Sequence, residues 1–396
     1  MRILITFVIL SFFNLASANS INIVRDAEIE NLLEDISKIL VKDTELNKQK
    51  LKFYIDNKKY INALVTPDKK FFFTTELLLK SKGVHDLAGV ISHEIGHIIG
   101  GHFQKRQLAL EKTSKINILS SLLALGAIAS GAYDAGSAIL MGGQHLSNRR
   151  LLSFSRSQES LADQTAIRLL KKNGFSLQGL INVFEQIQKN EKIKKLNPYA
   201  LTHPLSNERI RNIKINFEGQ KLKQYKSLDY RFKLAKSKLN GFFLSKEQIS
   251  ILYPNKEQIE SLYAFALNSY RIGKINDAIL LINKCIKIDS KNPYFHELKG
   301  QMYYETGMFK KAVESFVTSN RILPNEKGFQ LFLAKSLYHS NIKVNQERSI
   351  NLLWSYIKKD EFQIDAWHYL GLNYGKLKKL DYSSYAFAEK YVLANK

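Results

Sequence analysis

The stretch ISHEIGHIIGGHF, residues 91–103, places three histidines and a glutamate in an apolar run whose periodicity predicts a buried helix. Groups this polar are buried only when something pairs with them. His93 and His97 are four residues apart, so on a helix their imidazoles leave the same face, one turn above the other. Two nitrogens on one face make half of a zinc site. Glu94 adjoins the first histidine but is rotated by about a quarter turn, which aims its carboxylate beside a metal rather than at it. From there it can accept a proton from water attacking a peptide carbonyl and pass it to the leaving amine.

A catalytic zinc keeps three protein ligands and one open position, and two histidines with a glutamate form one of the common sets. The candidate third ligand is Glu159 in SRSQESLADQTAIRLL, where Leu161, Ile167 and Leu169 fall at roughly helical spacing. Asp163 lies one turn further on the same face, placed to accept the outer N–H of a ligating imidazole. Without the H-E-x-x-H pattern, the two acids would read as part of a solvated helix face. His102, five residues past His97, falls off the ligand face and is read as structural, hydrogen-bonded near the helix end; His85 and His145 are read the same way.

Several elements must position these residues. Residues 22–40 have apolar side chains at helical spacing with acids on the other face, which predicts an amphipathic helix. Three strand-like runs follow at 52–56, 60–65 and 70–75, separated by turn signals at Asn57-Lys58-Lys59 and Pro67-Asp68. Residues 116–142 are almost uncharged and rich in Gly, Ala and Ser. Asp134 and Gly136 interrupt them, so the expectation is a hairpin that packs on the protein or makes peripheral contact with a membrane, rather than a true span.

The second half follows a 34-residue period: Gly273 and Ala278 recur as Gly307 and Ala312, the spacing of tetratricopeptide repeats. Gly300, Tyr303, Phe316 and Pro324 occupy the signature positions of the second repeat, and Trp367, Gly371, Tyr374 and Phe387 those of a later one. About four repeats are expected from residue 260 onward, with a less regular unit between, from about Lys327 to Gln363, carrying an insertion near Lys343 to Glu347.

The whole-chain quantities bound the function. With 396 residues and 45% hydrophobic content, the chain can bury two ordinary cores. Residues 1–18 read as a secretory signal peptide: Arg2, an apolar run from Ile3 to Phe13 too short to span a bilayer, and an A-x-A site cut after Ala18. The alternative is an uncleaved N-terminal anchor. Cys285 is the single cysteine, which excludes internal disulfides, cysteine-rich zinc ribbons and paired redox cysteines, and it is read as a core residue. The formal charge of +23 is scattered and matches no nucleic-acid module, so no nucleic-acid partner is expected.

HEIGH, the downstream SRxxExxAD and the later THPL together resemble the membrane-associated zinc peptidases related to the CAAX prenyl protease and the Oma-type protease. With a leader and C-terminal repeats, the chain is most similar to the branch of that family concerned with β-barrel assembly in the periplasm. The resemblance implies a mainly α fold with a small β-sheet: a gluzincin-like metallopeptidase domain at 19–220, a helical linker at 221–259 and an α-solenoid of repeats at 260–396. It implies one Zn2+ per chain held by His93, His97 and Glu159, with Glu94 as base and Asp163 orienting a ligand. It gives His203, in LTHPLSNERI, a transition-state role or the fourth ligand position of a latent form, and makes Arg209 a basic partner in the same motif. The implied partners are unfolded or misassembled outer-membrane proteins and the outer-membrane β-barrel assembly machinery, docked by the repeats. INALVTPDKKFFFTT resembles the family's strand segment beside the cleft, except that Pro67-Asp68-Lys69 stands where glycines are common. The competing expectation is a non-proteolytic periplasmic chaperone or scaffold with a latent or structural metal site.

Overall fold

The computed structural model describes residues 22–129, 133–193, 203–324, 326–340, 342–358 and 364–394. The leader expected at residues 1–18 lies outside them. The fold is mainly helical with one small mixed sheet, as expected. Four strands, β1 (Ile23–Val24), β2 (Lys52–Asp56), β3 (Ala63–Val65) and β4 (Lys70–Thr74), lie in the order β1-β2-β4-β3. β2 pairs parallel with β4, from Lys52 opposite Lys70 to Asp56 opposite Thr74, while β3 pairs antiparallel with β4 and forms the edge. The turn between β3 and β4 contains Lys69 at a φ of 61°, a left-handed conformation that glycine adopts far more readily. The departure from the family's glycines therefore falls on a position whose backbone still has the glycine shape.

β1 is absent from the sequence expectation, which began the helix at residue 22. The helix, α1 (Ala27–Val41), starts after Asp26, whose carboxylate accepts from the Ile29 N–H as an N-cap. Its apolar face, Ile29, Leu32, Leu33, Ile36 and Leu40, is buried against the sheet and the helices around it.

A short α2 (Thr75–Lys80) leads into α3 (Val84–Ile99), α4 (His102–Ala129), α5 (Tyr133–Asn173), α6 (Gln178–Ile193) and α7 (Asn207–Ile215). α3 is the central helix, buried on nearly every side from Val84 to His97. Helices α8 (Lys226–Phe243) and α9 (Lys246–Leu252) follow, and α8 contributes Phe232 and Leu239 to the first core and Leu234 to the next.

Four helix pairs complete the chain: α10 (Ile259–Arg271) with α11 (Ile275–Ile288), α12 (Pro293–Glu305) with α13 (Phe309–Ile322), α14 (Lys327–Tyr338) with α15 (Lys343–Ile357), and α16 (Ile364–Lys376) with α17 (Leu380–Ala394). Gly273 and Gly307 sit in the turns of the first two pairs at φ 78° and 75°, and Ala278 and Ala312 are fully buried beside them. Gly300 and Gly371 lie directly against the rings of Phe316 and Phe387, which explains why small and aromatic residues alternate at these positions. Residues 343–347, expected as an insertion, instead form the opening turns of α15.

The repeats are tied to the first unit through α1. Asn31 donates to the Tyr294 hydroxyl at 3.1 Å and to Glu326 at 2.8 Å, and Tyr263 donates to Glu28 at 2.8 Å. Cys285 is buried and burial pushes its thiol up to about 12, which suits a packing role.

Candidate metal centre

Three helices assemble the site. α3 contributes His93, Glu94 and His97; α5 contributes Glu159 and Asp163; His203 and Arg209 come from the segment leading into α7 and from its first turn. Close packing sets the α3–α5 distance: a Cβ on Gly96 would lie 2.7 Å from both the Cα and the carbonyl oxygen of Ala162. The small residue inside H-E-x-x-H thus lets the two ligand-bearing backbones nearly touch.

His93, His97, Glu159 and His203 each offer one ligand atom, all within 4.8 Å of one another and all buried. His93 Nε2 is 3.2 Å from His97 Nε2 and 3.3 Å from Glu159 Oε2. His97 Nε2 is 3.5 Å from Glu159 Oε1, and His203 Nδ1 is 3.2 Å from the same oxygen and 3.5 Å from His93 Nε2. Four donors bonded to zinc at ordinary lengths in a tetrahedron stand about 3.3 Å apart. The spacing and the chemistry of the donors fit a metal ion.

Asp163 Oδ1 lies 3.0 Å from His93 Nδ1, on the far side of the ring from the cluster. Arg209 grips Asp163 with two bonds, Nε at 2.7 Å and Nη2 at 2.8 Å, and reaches Glu159 Oε2 through Nη1 at 2.9 Å. Its guanidinium also stacks over Phe184, 4.7 Å from the ring centroid. The sequence placed Arg209 only through a motif; in the fold it is the countercharge for both acids.

His102, expected to be structural and hydrogen-bonded near the helix end, has its partner in the cluster itself. Its Nδ1 lies 2.8 Å from His97 Nδ1, so it fixes the ring of His97 from behind, as Asp163 does for His93. A helical offset of five residues would separate the two. α3 ends at Ile99, however, and Gly101 at φ 60° turns the chain back so that His102 opens α4. The Gly100-Gly101 pair was the available signal. His85 instead accepts from the Ser176 N–H at 3.2 Å, and His145 is exposed on α5, both away from the cluster.

The electrostatics follow from burial and pairing. Burial alone would lower the His93 imidazole, but hydrogen bonds to Asp163 and Glu159 overcome it and push the group up to about 9. Burial and the neighbouring His93 and His203 lower His97 to about 2. For Glu159 burial is opposed and exceeded by His203 and His93, which hold the carboxyl well below its ordinary range, and Arg209 does the same for Asp163. Glu94 differs: burial raises its carboxyl, with His203 and His93 only partly offsetting. Its Oε1 is buried without a hydrogen bond and lies 3.6 Å from His203 Nε2. An acid without a hydrogen bond at that atom, beside the donor cluster but outside it, is free to exchange a proton with a reactant.

Residues 25–216 match the model of peptidase family M48. The matched span, just under half of the chain, contains all four residues of the donor cluster. Along 385 residues it is 23% identical to the beta-barrel assembly-enhancing protease of Escherichia coli K12, covering 94% of this chain and 77% of that protein. It is 30% identical over 153 residues to the mitochondrial metalloendopeptidase OMA1 of Schizosaccharomyces pombe, covering 38% of this chain and 42% of that one. Among solved structures, YrrB, a TPR protein with an unusual peptide-binding site, covers 38% of this chain at 14% identity with a TM-score of 0.25.

Proposed function

We propose that the protein is a periplasmic, zinc-dependent endopeptidase acting in the quality control and assembly of outer-membrane β-barrel proteins, with its repeats docking clients or the assembly machinery. The observation that carries the enzymatic reading is Glu94, a buried acid placed beside the donor cluster, which a purely structural zinc site does not need. The client class and the periplasmic setting are supported by the similarity to the beta-barrel assembly-enhancing proteases, which spans both the peptidase domain and the repeats.

His93, His97 and Glu159 would hold the metal, which when bound polarises a peptide carbonyl and makes water nucleophilic at neutral pH. Glu94 accepts the proton of the attacking water and returns it to the leaving amine. Asp163 and His102 hold the two imidazoles in register, and Arg209 holds Asp163. β3 is a sheet edge that packs near α3, and its outer main-chain groups can pair with an extended substrate with little demand on its sequence.

His203 favours a second reading. It is a fourth donor beside His93, His97 and Glu159, and with a metal bound it would compete with water or a substrate carbonyl for the remaining position. For turnover His203 must move aside; if it never does, the protein is a chaperone or scaffold with a latent centre. The test is cleavage of a urea-unfolded outer-membrane β-barrel protein by the purified chain, its Glu94→Gln variant and its His203→Ala variant, with metal content measured in each. The peptidase reading expects Glu94→Gln to lose roughly 100- to 10,000-fold in rate at equal metal content. Unchanged cleavage by Glu94→Gln would remove the base. No cleavage by the wild type or by His203→Ala, with metal bound, would establish the scaffold.

A further inference from the structure

The α4–α5 hairpin is packed inside out. Between Ile116 and Asn148 the sequence has one charged residue, Asp134. Its large apolar side chains face outward: Leu119, Leu122, Leu125 and Met141 are 58%, 62%, 62% and 73% exposed. The residues buried between its two helices are small: Ala124, Gly136, Gly143 and Ser147. A Cβ on Gly143 would meet the Ser120 side chain at 2.2 Å, one on Gly136 would meet the Ala124 carbonyl oxygen at 2.8 Å, and Ser147 donates to Asn117 between the helices at 2.6 Å. A helix pair stable in water does the reverse, hiding leucines and exposing polar groups. Small residues at the contact and leucines on the outside are the pattern of helices that pack against each other in lipid.

At the base of the apolar part the charge changes. Lys112 and Lys115 on α4 and Arg149 and Arg150 on α5 are all exposed, next to one acid, Glu111. A basic collar next to an apolar outer face matches a bilayer whose surface is anionic and whose interior is not. No helix among the described residues is long and apolar enough to cross a membrane, and the Asp134 carboxylate near the tip is costly to carry to the bilayer centre. Both facts set a shallow depth, within one leaflet.

We propose that this hairpin docks the protein on an anionic bilayer surface, its leucine face entering the interfacial layer and its basic collar meeting lipid phosphates. The docking is independent of metal and of cleavage, but it positions the centre: α5 runs unbroken from Ser147 at the collar to Glu159 in the cluster, roughly 18 Å at the helical rise. The cleft is thereby held close to the membrane, within reach of chains entering or leaving it.

The experiment is flotation of the purified full chain with vesicles of phosphatidylethanolamine and phosphatidylglycerol, and with phosphatidylcholine vesicles, beside a Leu122→Glu/Met141→Glu double variant that has the same N-terminus. The anionic vesicles should bind the wild type, and the double variant should bind roughly tenfold or more weakly. Lys115→Gln with Arg149→Gln should weaken binding about fivefold per charge on anionic vesicles and much less on neutral ones. As a check that does not depend on the folding of a charged variant, a Leu122→Trp chain should lose fluorescence to brominated lipid. The proposal is overturned if the wild type does not float, if the double variant floats equally, if Leu122→Trp is not quenched, or if the hairpin instead joins two copies in a lipid-free dimer that the double variant dissociates.

Discussion

The substitution Gly96→Ala tests the physical basis of the centre without touching a ligand. The added Cβ would stand 2.7 Å from two backbone atoms of Ala162, whereas ordinary contacts between such atoms are about 3.5–4.0 Å. Backbone cannot rotate aside as a side chain does, so α3 and α5 must separate by about 1 Å. Gly96 lies between His93 and His97, and Ala162 between Glu159 and Asp163, so the displacement falls on the spacings from the two histidines to Glu159, now 3.3 and 3.5 Å. Overpacking of this kind costs about 1–3 kcal/mol of stability, which a fold of this size tolerates. The site is less tolerant, because metal–ligand distances are held to about 0.2 Å and disturbing what orients the ligands costs about 10- to 100-fold in metal affinity. Chelator competition should therefore show metal affinity falling about 10- to 100-fold while circular dichroism stays native. Gly142→Ala on the same α5 helix, where a new Cβ meets nothing within 4 Å, should leave affinity unchanged and add up to about 1 kcal/mol of stability. Wild-type metal affinity in a folded Gly96→Ala protein would refute the claim that the α3–α5 contact sets the ligand geometry.

Asp163→Asn keeps the shape but removes the charge facing His93 Nδ1 and Arg209; metal affinity by the same competition should fall about 10- to 100-fold, and an unchanged value would show that Asp163 does not support the ligand. Stability should also depend on pH through Glu297, whose carboxyl burial raises to about 7 despite Lys238. A raised acid favours the fold most when protonated, so this contribution is complete below about pH 4.5 and is lost as pH rises through about 7. Thermal melting of Glu297→Gln should lack that decline; an identical decline in both proteins would place its source elsewhere.

Much of this was readable from the chain because the signals are local. A four-residue spacing on a helix places His93 and His97 on one face whatever surrounds them, and the 34-residue recurrence of Gly and Ala marks helix pairs that contact their neighbours in the same way each time. β2 was located to the residue, since alternation bounded by turn residues needs no distant partner. What the chain could not specify depends on approach between segments far apart in sequence. β1 exists because β2 is there to pair with it, and His102 meets His97 because the turn at Gly100-Gly101 brings the first residue of α4 back to the end of α3. Arg209 reaches Glu159 and Asp163 from a segment far along the chain, a meeting that no periodicity reveals. The hairpin makes the division clear: composition identified 116–142 as apolar and rich in small residues, but which residues turned inward was decided by the closeness of two backbones at Gly136 and Gly143. Local spacing fixes the direction in which a side chain leaves its own helix, and only packing fixes what it meets there.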